Sequence, residues 1–200
     1  MQIAVLGTGM VGRTLADAFV DLGYEVAMGS RSRDNAAAAA WSAEAGDRAS
    51  HAAYGDAAAT AELVFNCTAG AASLAALAAA GSENLAGKVL VDVANPLDFS
   101  QGVPPSLFVS VTDSLGEQVQ RAFPEARVVK ALNTINHLVM VDPGASAARA
   151  TSSCAETTRT RRRRSASCCA VSAGPTRRSS TSATSPPPVR PRPSSCSGCA

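Results

Sequence analysis

Three glycines in the stretch "LGTGMVG" have a spacing that suits phosphate binding. Gly7, Gly9 and Gly12 form the pattern G-x-G-x-x-G. In this pattern the first glycine allows a tight turn, the second admits a pyrophosphate close to the backbone, and the third lets a helix pack against a sheet. A flexible turn is the alternative. We favour dinucleotide binding, because an apolar run precedes the glycines and a helical pattern follows them, so that phosphates would meet a helix N-terminus.

The residues after the second predicted strand bear on which dinucleotide is bound. A site for NAD generally has Asp or Glu here to bond the ribose hydroxyls, whereas this chain has "GSRSRD", with Ser30, Arg31 and Arg33. A hydroxyl donor and a guanidinium suit an adenosine 2′-phosphate, which a carboxylate would repel. The alternative is a solvated loop that happens to be basic. We predict NADP(H), because the position is that of the ribose site.

Small and polar residues also follow the next two predicted strands. "NCTAGAAS" contains Thr68 and Gly70, and "VANPLDF" contains Asn95. Ligands of parallel sheets bind beyond the carboxyl ends of the strands, so these residues are candidates for lining the nicotinamide half of the site. They could instead cap helices and shape turns. The stretch "NTIN" at 133–136 has the same ambiguity and is a weaker candidate.

No residue stands out as a general acid, general base, nucleophile or metal ligand, so we expect neither a catalytic side chain nor a metal. His51 lies in a polar, Ala-rich stretch, and we expect it to be a surface residue, whereas His137 follows a strand and is expected to be structural. Cys67 lies in an apolar strand, where a small buried side chain is the default. Hydride transfer between two bound cofactors depends on proximity and orientation rather than on a proton relay. An oxidoreductase therefore remains compatible with the sequence.

These residues need a scaffold, and the alternation of apolar strands with helical patterns provides one. Each predicted strand is nearly all apolar, as expected for strands buried on both faces. The pattern predicts the α/β class, with a Rossmann-type, doubly wound parallel sheet and helices on both faces. Residues 34–61 are expected to form one helix followed by a loop and short elements, and Ser114 and Glu117 have capping-box spacing. The predicted strands are "QIAVLG", "YEVAMGS", "AELVFNCTAG", "GKVLVDVANPLDF" and "ARVVKALNTI", and the clearest helices are "MVGRTLADAFVDLG", "AASLAALAAAG" and "SLGEQVQRAF".

Residues 1–143 resemble the NADP oxidoreductases that depend on coenzyme F420. The likeness is carried by "MQIAVLGTGMVGRTLA", "GSRSRD", "KVLVDVANPLDF", "TDSLGEQVQRAFPEARVVKALNTIN" and "VMVDP". It implies a protein that passes hydride between NADP(H) and the deazaflavin F420, as a homodimer in the intact family form. The implied cofactor contacts are Thr8, Gly9, Met10 and Val11 at the pyrophosphate, and Ser30 and Arg31 at the 2′-phosphate.

Two other functions are compatible with the sequence. One is another NADP-dependent reductase, which acts on an imine or a small carbonyl compound. The other is a non-enzymatic nucleotide-sensing or nucleic-acid-binding protein with a basic tail, which would bind DNA in a salt-dependent way. We favour the oxidoreductase and do not expect nucleic acid as a partner.

The last part of the chain differs sharply in composition. Residues 1–150 contain 9 Lys/Arg and 15 Asp/Glu, whereas residues 151–200 contain 9 Arg and one acidic residue, Glu156. No Leu, Ile, Met, Phe, Tyr or Trp follows Met140, and such a composition cannot bury a core. We therefore predict an NADP-binding domain over 1–143 and a disordered, basic, Ser/Arg/Pro-rich tail over 144–200.

The tail has three possible explanations: a basic arm for nucleic acid, a solvated linker, or translation out of frame. The genetic code allows the third to be examined, because a shifted frame converts Cys codons and TC-type Ser codons into codons for apolar residues, and Thr codons into codons for Asp, Asn, His or Tyr. Residues 179–188, "SSTSATSPPP", then permit "VVDLGDITAA", which has the character of a strand and turn. We favour out-of-frame translation, since the other two explanations predict no hidden apolar pattern.

The sequence also bears on location. The first predicted strand follows directly on Met1 with no signal peptide before it, and no apolar run reaches the roughly 18–20 residues that span a bilayer. We expect a cytoplasmic protein without a membrane partner.

Overall fold

The computed structural model describes residues 1–109 and 112–144. The strands are β1 (Gln2–Leu6), β2 (Glu25–Ser30), β3 (Ala49–Ala53), β4 (Leu63–Asn66), β5 (Val89–Asp92), β6 (Leu97–Asp98), β7 (Ser106–Leu107) and β8 (Arg127–Lys130). The helices are α1 (Met10–Asp21), α2 (Ala36–Ala45), α3 (Tyr54–Thr60), α4 (Gly70–Ala80), α5 (Ser82–Leu85), α6 (Leu115–Ala122) and α7 (His137–Val141). Strands β6 and β7 pair with each other as a short antiparallel ribbon.

The other six strands form one parallel sheet in the order β3-β2-β1-β4-β5-β8. The chain begins at a central strand, β1, winds outward through β2 and β3, and then returns to place β4 on the other side of β1. The direction of winding therefore reverses between β1 and β4. In doubly wound sheets ligands bind in the crevice at this switch point. The predicted fold class is confirmed.

Helices cover both faces of the sheet, which explains why its inner strands are largely apolar. In β1, Ile3 and Val5 belong to one core cluster, while Ala4 and Leu6 belong to the other. Helices α1 and α2 pack on the first face, where Trp41 donates a hydrogen bond from Nε1 to Oδ1 of Asp17 at 2.7 Å. The opposite face is covered by helices α3, α4, α5 and α6, through Ala57, Leu77, Leu85 and Val119.

Residues 34–61 contain more regular structure than the sequence indicates. After α2 come a complete parallel strand, β3, and helix α3. The β3 sequence "ASHAA" has little β-branched or aromatic character, so propensity alone does not reveal it. It forms because β2 offers an edge, along which Val26 to Ser30 pair with Ala49 to Ala53.

Helix boundaries are largely as the sequence indicates. Helix α1 ends at a C-cap, Leu22, and Gly23 follows with a φ of +87°, a conformation that favours glycine. Leu22 fits the helical spacing but is 71% exposed, since it already lies at the helix end. At α6 the Ser114 hydroxyl accepts a hydrogen bond from the Glu117 N–H at 3.2 Å. The Glu117 carboxylate accepts a hydrogen bond from that hydroxyl at 2.8 Å. In a full capping box it would instead accept one from the backbone N–H of Ser114.

The predicted tail comprises residues 144–200, and all of them after Gly144 lie outside the described residues, so the domain division at 143/144 stays a prediction. Within 1–109 and 112–144, no helix has the length and apolar character that crossing a bilayer requires.

Candidate functional site

The glycine loop joins β1 to α1 and has two tightly packed glycines and one open one. Gly7 has a φ of +122°, and a Cβ there would lie 2.6 Å from the carbonyl oxygen of Cys67. A Cβ on Gly12 would clash with the carbonyl oxygen of Gly7. Around Gly9, by contrast, nothing lies within 4 Å of the Cβ position. Packing thus requires the first and third glycines, while the second faces free space.

The N-terminus of α1 opens into that space. Gly9 is the N-cap of this helix and has no side chain to cap it. The first N–H groups of a helix have no partner within the helix and carry its partial positive charge. The loop therefore presents backbone donors toward a space that a phosphate group can enter.

A cavity of about 560 Å³ extends from this loop along the carboxyl edge of the sheet. One wall of the cavity is formed by alanine side chains of α4. Arg31, at the end of β2, and Tyr54, at the start of α3, also line it. The remaining lining residues are Gly7, Thr8, Gly9, Cys67, Thr68, Ala69, Ala72, Ala75, Ala76 and Ala79.

The three candidate residues after β2 differ in their surroundings. Arg31 is exposed and lines the cavity. Arg33 is also exposed but does not line it. Ser30 is buried, and its hydroxyl donates a hydrogen bond to the carbonyl of Ser32. Of the three, Arg31 is therefore the one that already faces the space beside the glycine loop.

A second cavity, of about 290 Å³, brings together the predicted nicotinamide residues Thr68, Gly70 and Asn95. Thr68 also lines the first cavity, so the two cavities are adjacent there. A Cβ on Gly70 would clash with the carbonyl oxygen of Asn95. The other walls are mostly apolar and comprise Val11, Cys67, Ala69, Ala71, Val93, Ala94, Leu97 and Phe99.

Asn95 also has a structural role in this edge of the sheet. Its Nδ2 donates to the carbonyl of Asn133 at 2.8 Å, and Nδ2 of Asn133 donates back to Oδ1 of Asn95 at 3.3 Å. The pair ties the loop after β5 to the "NTIN" stretch after β8. The structural alternative for these two stretches is thus supported by direct contacts.

A buried polar network lies beneath Thr68. Its hydroxyl donates to Oδ1 of Asn66 at 2.7 Å, and Nδ2 of Asn66 donates to Oδ1 of Asp92 at 2.8 Å. Lys130 extends the network by donating from Nζ to Oδ2 of Asp92 at 2.8 Å. Asn66 also donates to the hydroxyl of Ser73 at 3.1 Å. The network connects the ends of β4, β5 and β8 and fixes the position of the Thr68 side chain.

The sequence motifs do not mark Asn66, Asp92 or Lys130 as members of the site. Each is the last residue of its strand, and each interrupts or ends an apolar run. A polar residue at that position in a strand buried on both faces is a signal that could have identified them, since buried polar groups need partners.

The structure differs in part from what was expected of the two histidines and the cysteine: His51, expected at the surface, and Cys67, expected to be buried, are both half-buried. His51 shares a hydrogen bond with Ser42 at 2.7 Å, and His137 shares one with Thr14 at 2.9 Å. Burial, with a smaller contribution from the charge of Asp92, raises the pKa of the Cys67 thiol to about 12, so the thiol stays protonated. Within 1–109 and 112–144 no cluster of side chains could hold a metal ion.

Comparison with known proteins identifies the family. The sequence profile of the family "NADP oxidoreductase coenzyme F420-dependent" matches residues 2–96, from β1 to the loop after β5. A solved structure of a candidate F420-dependent NADP reductase from Arthrobacter sp. FB24 is 60% identical, with a TM-score of 0.67. The alignment covers 72% of this chain and 67% of that one. A search of curated proteins found no match.

More distant likenesses are to imine reductases. The Streptomyces aurantiacus imine reductase is 32% identical over 48% of this chain and 33% of that one, with a TM-score of 0.40. The imine reductase from Bacillus cereus BAG3X2 is 23% identical over 64% of this chain and 38% of that one, with a TM-score of 0.46. Both likenesses therefore span well under half of the imine reductase chains. By its profile match and its 60% identity to the Arthrobacter protein, the chain belongs to the F420-dependent NADP oxidoreductase family, whose members are NADP-dependent oxidoreductases.

Proposed function

We propose that the chain binds NADP(H) along the carboxyl edge of the sheet and transfers hydride between NADPH and the deazaflavin F420. One observation carries the proposal: the open helix N-terminus at Gly9 continues into a cavity lined by Arg31. NADP(H) has a pyrophosphate and a 2′-phosphate, which need backbone donors and a cation respectively. Both groups line one cavity, as binding of a dinucleotide requires, and family membership supports F420 as the hydride partner.

On the adenosine side, we propose that the pyrophosphate lies at the start of α1 and the 2′-phosphate at Arg31. Ser30 and Arg33 are further proposed ligands of the 2′-phosphate. For Ser30 to donate to a phosphate, its hydroxyl must leave the carbonyl of Ser32. The proposed pyrophosphate contacts are Thr8, Gly9, Met10 and Val11, while Gly7 and Gly12 belong to the cofactor site by shaping the loop that presents them.

On the reactive side, we propose that the second cavity holds the nicotinamide, with Thr68, Gly70 and Asn95 around it. Thr68 is held by Asn66 at 2.7 Å, so the hydroxyl has a fixed position from which to orient a ligand. The apolar side chains of Leu97 and Phe99 on this cavity would exclude water from the reacting ring. A bound nicotinamide supplies the hydride, and the residues contribute orientation and proximity.

The test is NADPH oxidation with F420 as the acceptor, set against a panel of imines and small carbonyl compounds. We expect turnover with F420 and a preference for NADPH over NADH. Turnover with an imine or carbonyl but not with F420 would instead identify a different reductase of the same class. The Arthrobacter relative serves as a control, since this sequence departs from the family pattern after Pro143: activity in the relative alone would indicate that this chain is impaired.

We also propose, from the family resemblance, that the intact form is a homodimer. Exposed apolar side chains on β8 and α7 are consistent with a further contact, and they include Val129, Leu138 and Val141. Light scattering on the purified protein tests the dimer, since a mass near 20.2 kDa would mean a monomer.

A further inference from the structure

We propose that Tyr54 is a second specificity residue for NADP(H), whose phenolic hydroxyl donates a hydrogen bond to the adenosine 2′-phosphate beside Arg31. The inference rests on the proposed function, and it concerns a residue that the sequence motifs do not mark. Tyr54 lies well beyond the glycine loop in sequence and follows β3, an edge strand with little sequence signal.

The strand register brings Tyr54 next to Arg31. Strands β2 and β3 are parallel, and their last residues, Ser30 and Ala53, are paired. Arg31 directly follows β2 and Tyr54 directly follows β3, so both residues lie just beyond the sheet at the same level on neighbouring strands. Both then line the same cavity.

The ring of Tyr54 is held in place by its contact with the end of β2. A Cβ on Gly29 would lie 3.3 Å from Cδ1 of Tyr54 and 2.6 Å from Cδ2 of Leu6. The absence of a side chain at Gly29 therefore lets the ring lie against the strand, immediately before the Ser30–Arg31 pair. The ring also packs against the core cluster of that face. A hydroxyl on so well-packed a ring loses little freedom on binding a ligand.

The rest of the cavity shows which part of the ligand would meet the hydroxyl. The wall of the cavity that α4 forms consists of Ala72, Ala75, Ala76 and Ala79. These methyl groups suit the faces of a purine but offer no hydrogen bonds to a phosphate. Arg31 and Tyr54 are the polar side chains at this end of the cavity, since the others that line it belong to the glycine loop or to the Cys67–Thr68 segment.

The chemistry of the phenol suits donation to an anion. Burial raises the pKa of Tyr54, and the positive charge of Arg31 lowers it by a smaller amount. The hydroxyl is therefore protonated at neutral pH and is available as a donor. An O–H···O⁻ bond to a phosphate is charge-assisted and stronger than a bond between neutral groups. NADH lacks the 2′-phosphate, so this bond would favour NADPH alone.

The experiment compares Tyr54→Phe with Tyr24→Phe, the same change in the only other tyrosine of the chain, at the opposite end of β2. Dissociation constants are measured for NADPH, NADH, adenosine 2′,5′-bisphosphate and 5′-AMP, with the melting temperature as a check on folding. We expect Tyr54→Phe to weaken the binding of NADPH and of the bisphosphate about tenfold, in line with the loss of a hydrogen bond to a charged group. Binding of NADH and 5′-AMP should be unchanged, and Tyr24→Phe should change none of the four.

The failure of this inference differs from the failure of the proposed function. If the unsubstituted protein prefers NADPH and Tyr54→Phe keeps the full preference, Tyr54 has no part in specificity although the cofactor assignment stands. Equal weakening of NADPH binding and NADH binding would mean that Tyr54 only packs against the adenosine, and this result would also overturn the inference. If the unsubstituted protein does not distinguish NADPH from NADH, the NADP(H) proposal and this inference fail together.

Discussion

The carboxylate of Asp92, at the end of β5, accepts a hydrogen bond at 2.8 Å from the ammonium group of Lys130, at the end of β8. Asp92 is fully buried, whereas the Lys130 side chain is 31% exposed. Removing two such charges from water costs about as much free energy as their mutual attraction restores. A gain in stability therefore does not by itself explain why the pair is present. Its location beneath Thr68 connects it to the proposed nicotinamide site.

Replacing Lys130 with Met should destabilise the fold by about 3 kcal/mol, the lower end of the range for removing one partner of a buried ion pair. The reason is that the Asp92 carboxylate would remain buried without its cation. Urea unfolding measures the change. The double variant Asp92→Asn with Lys130→Met is the control and should recover part of the loss. If the single variant unfolds at the same urea concentration as the unsubstituted protein, the ion pair has no structural importance.

Arg31→Asp should weaken NADPH binding by about 10- to 100-fold, because it removes a charge-assisted contact and puts a like charge beside the 2′-phosphate. NADH, which lacks that phosphate, should lose less than about threefold. Arg48→Asp is the matched control, since Arg48 is exposed and directly precedes β3, at the amino ends of the parallel strands. Equal loss for both dinucleotides would show that Arg31 does not bind the 2′-phosphate.

Gly9, the N-cap of α1, and Gly12, within α1, should respond differently to substitution by alanine. Gly9→Ala places a methyl group in open space and should leave the melting temperature within a few degrees, while NADPH binding falls at least about tenfold as the pyrophosphate is displaced. Gly12→Ala should lower both, because its Cβ would clash with the carbonyl oxygen of Gly7. Thermal melts and NADPH titrations on both variants provide the comparison. Unchanged NADPH affinity in Gly9→Ala would remove the loop from the cofactor site.

Cys67 should resist alkylation in the folded protein. Its pKa is raised from the usual 9.0 to about 12 by burial and by Asp92, and the thiolate is the reactive species. Peptide mapping after iodoacetamide treatment at pH 8 should find Cys67 unmodified until denaturant is added. Because the folded pKa is the higher one, the stabilising contribution of this thiol is complete below about pH 9 and is lost as the pH rises toward 12. Rapid native-state modification would contradict the raised pKa, since Cys67 is only half-buried and lines both cavities.

Removal of residues 144–200 should leave the melting temperature and the NADPH affinity unchanged if the division at 143/144 is right. The nucleic-acid alternative instead predicts salt-dependent DNA binding by the full chain that disappears with the deletion.

Resequencing the gene across codons 138–200 tests out-of-frame translation directly. An inserted or deleted base near codon 143 would restore an apolar continuation, whereas an intact frame would dismiss that explanation.

The sequence alone determined the parts of this protein that depend on local pattern. The glycine spacing predicted the loop between β1 and α1, and apolar runs predicted five of the six strands of the main sheet. Arg31 was identifiable because it lies a fixed distance along a βαβ unit, where the chain must pass the ribose site. These features follow from short-range sterics and periodicity, which one segment of sequence contains in full.

Tertiary structure decided which distant residues meet. Tyr54 lies beside Arg31 only because β3 pairs with β2 in a register that no local signal in "ASHAA" sets. Likewise, Asn66, Asp92 and Lys130 come together because β4, β5 and β8 end at one edge of the sheet. The hydroxyl of Ser30, which the sequence marked as a donor to phosphate, donates to the carbonyl of Ser32 instead. Strand order, register and hydrogen-bond choice depend on the packing of the whole sheet, and that packing is not encoded in any one segment.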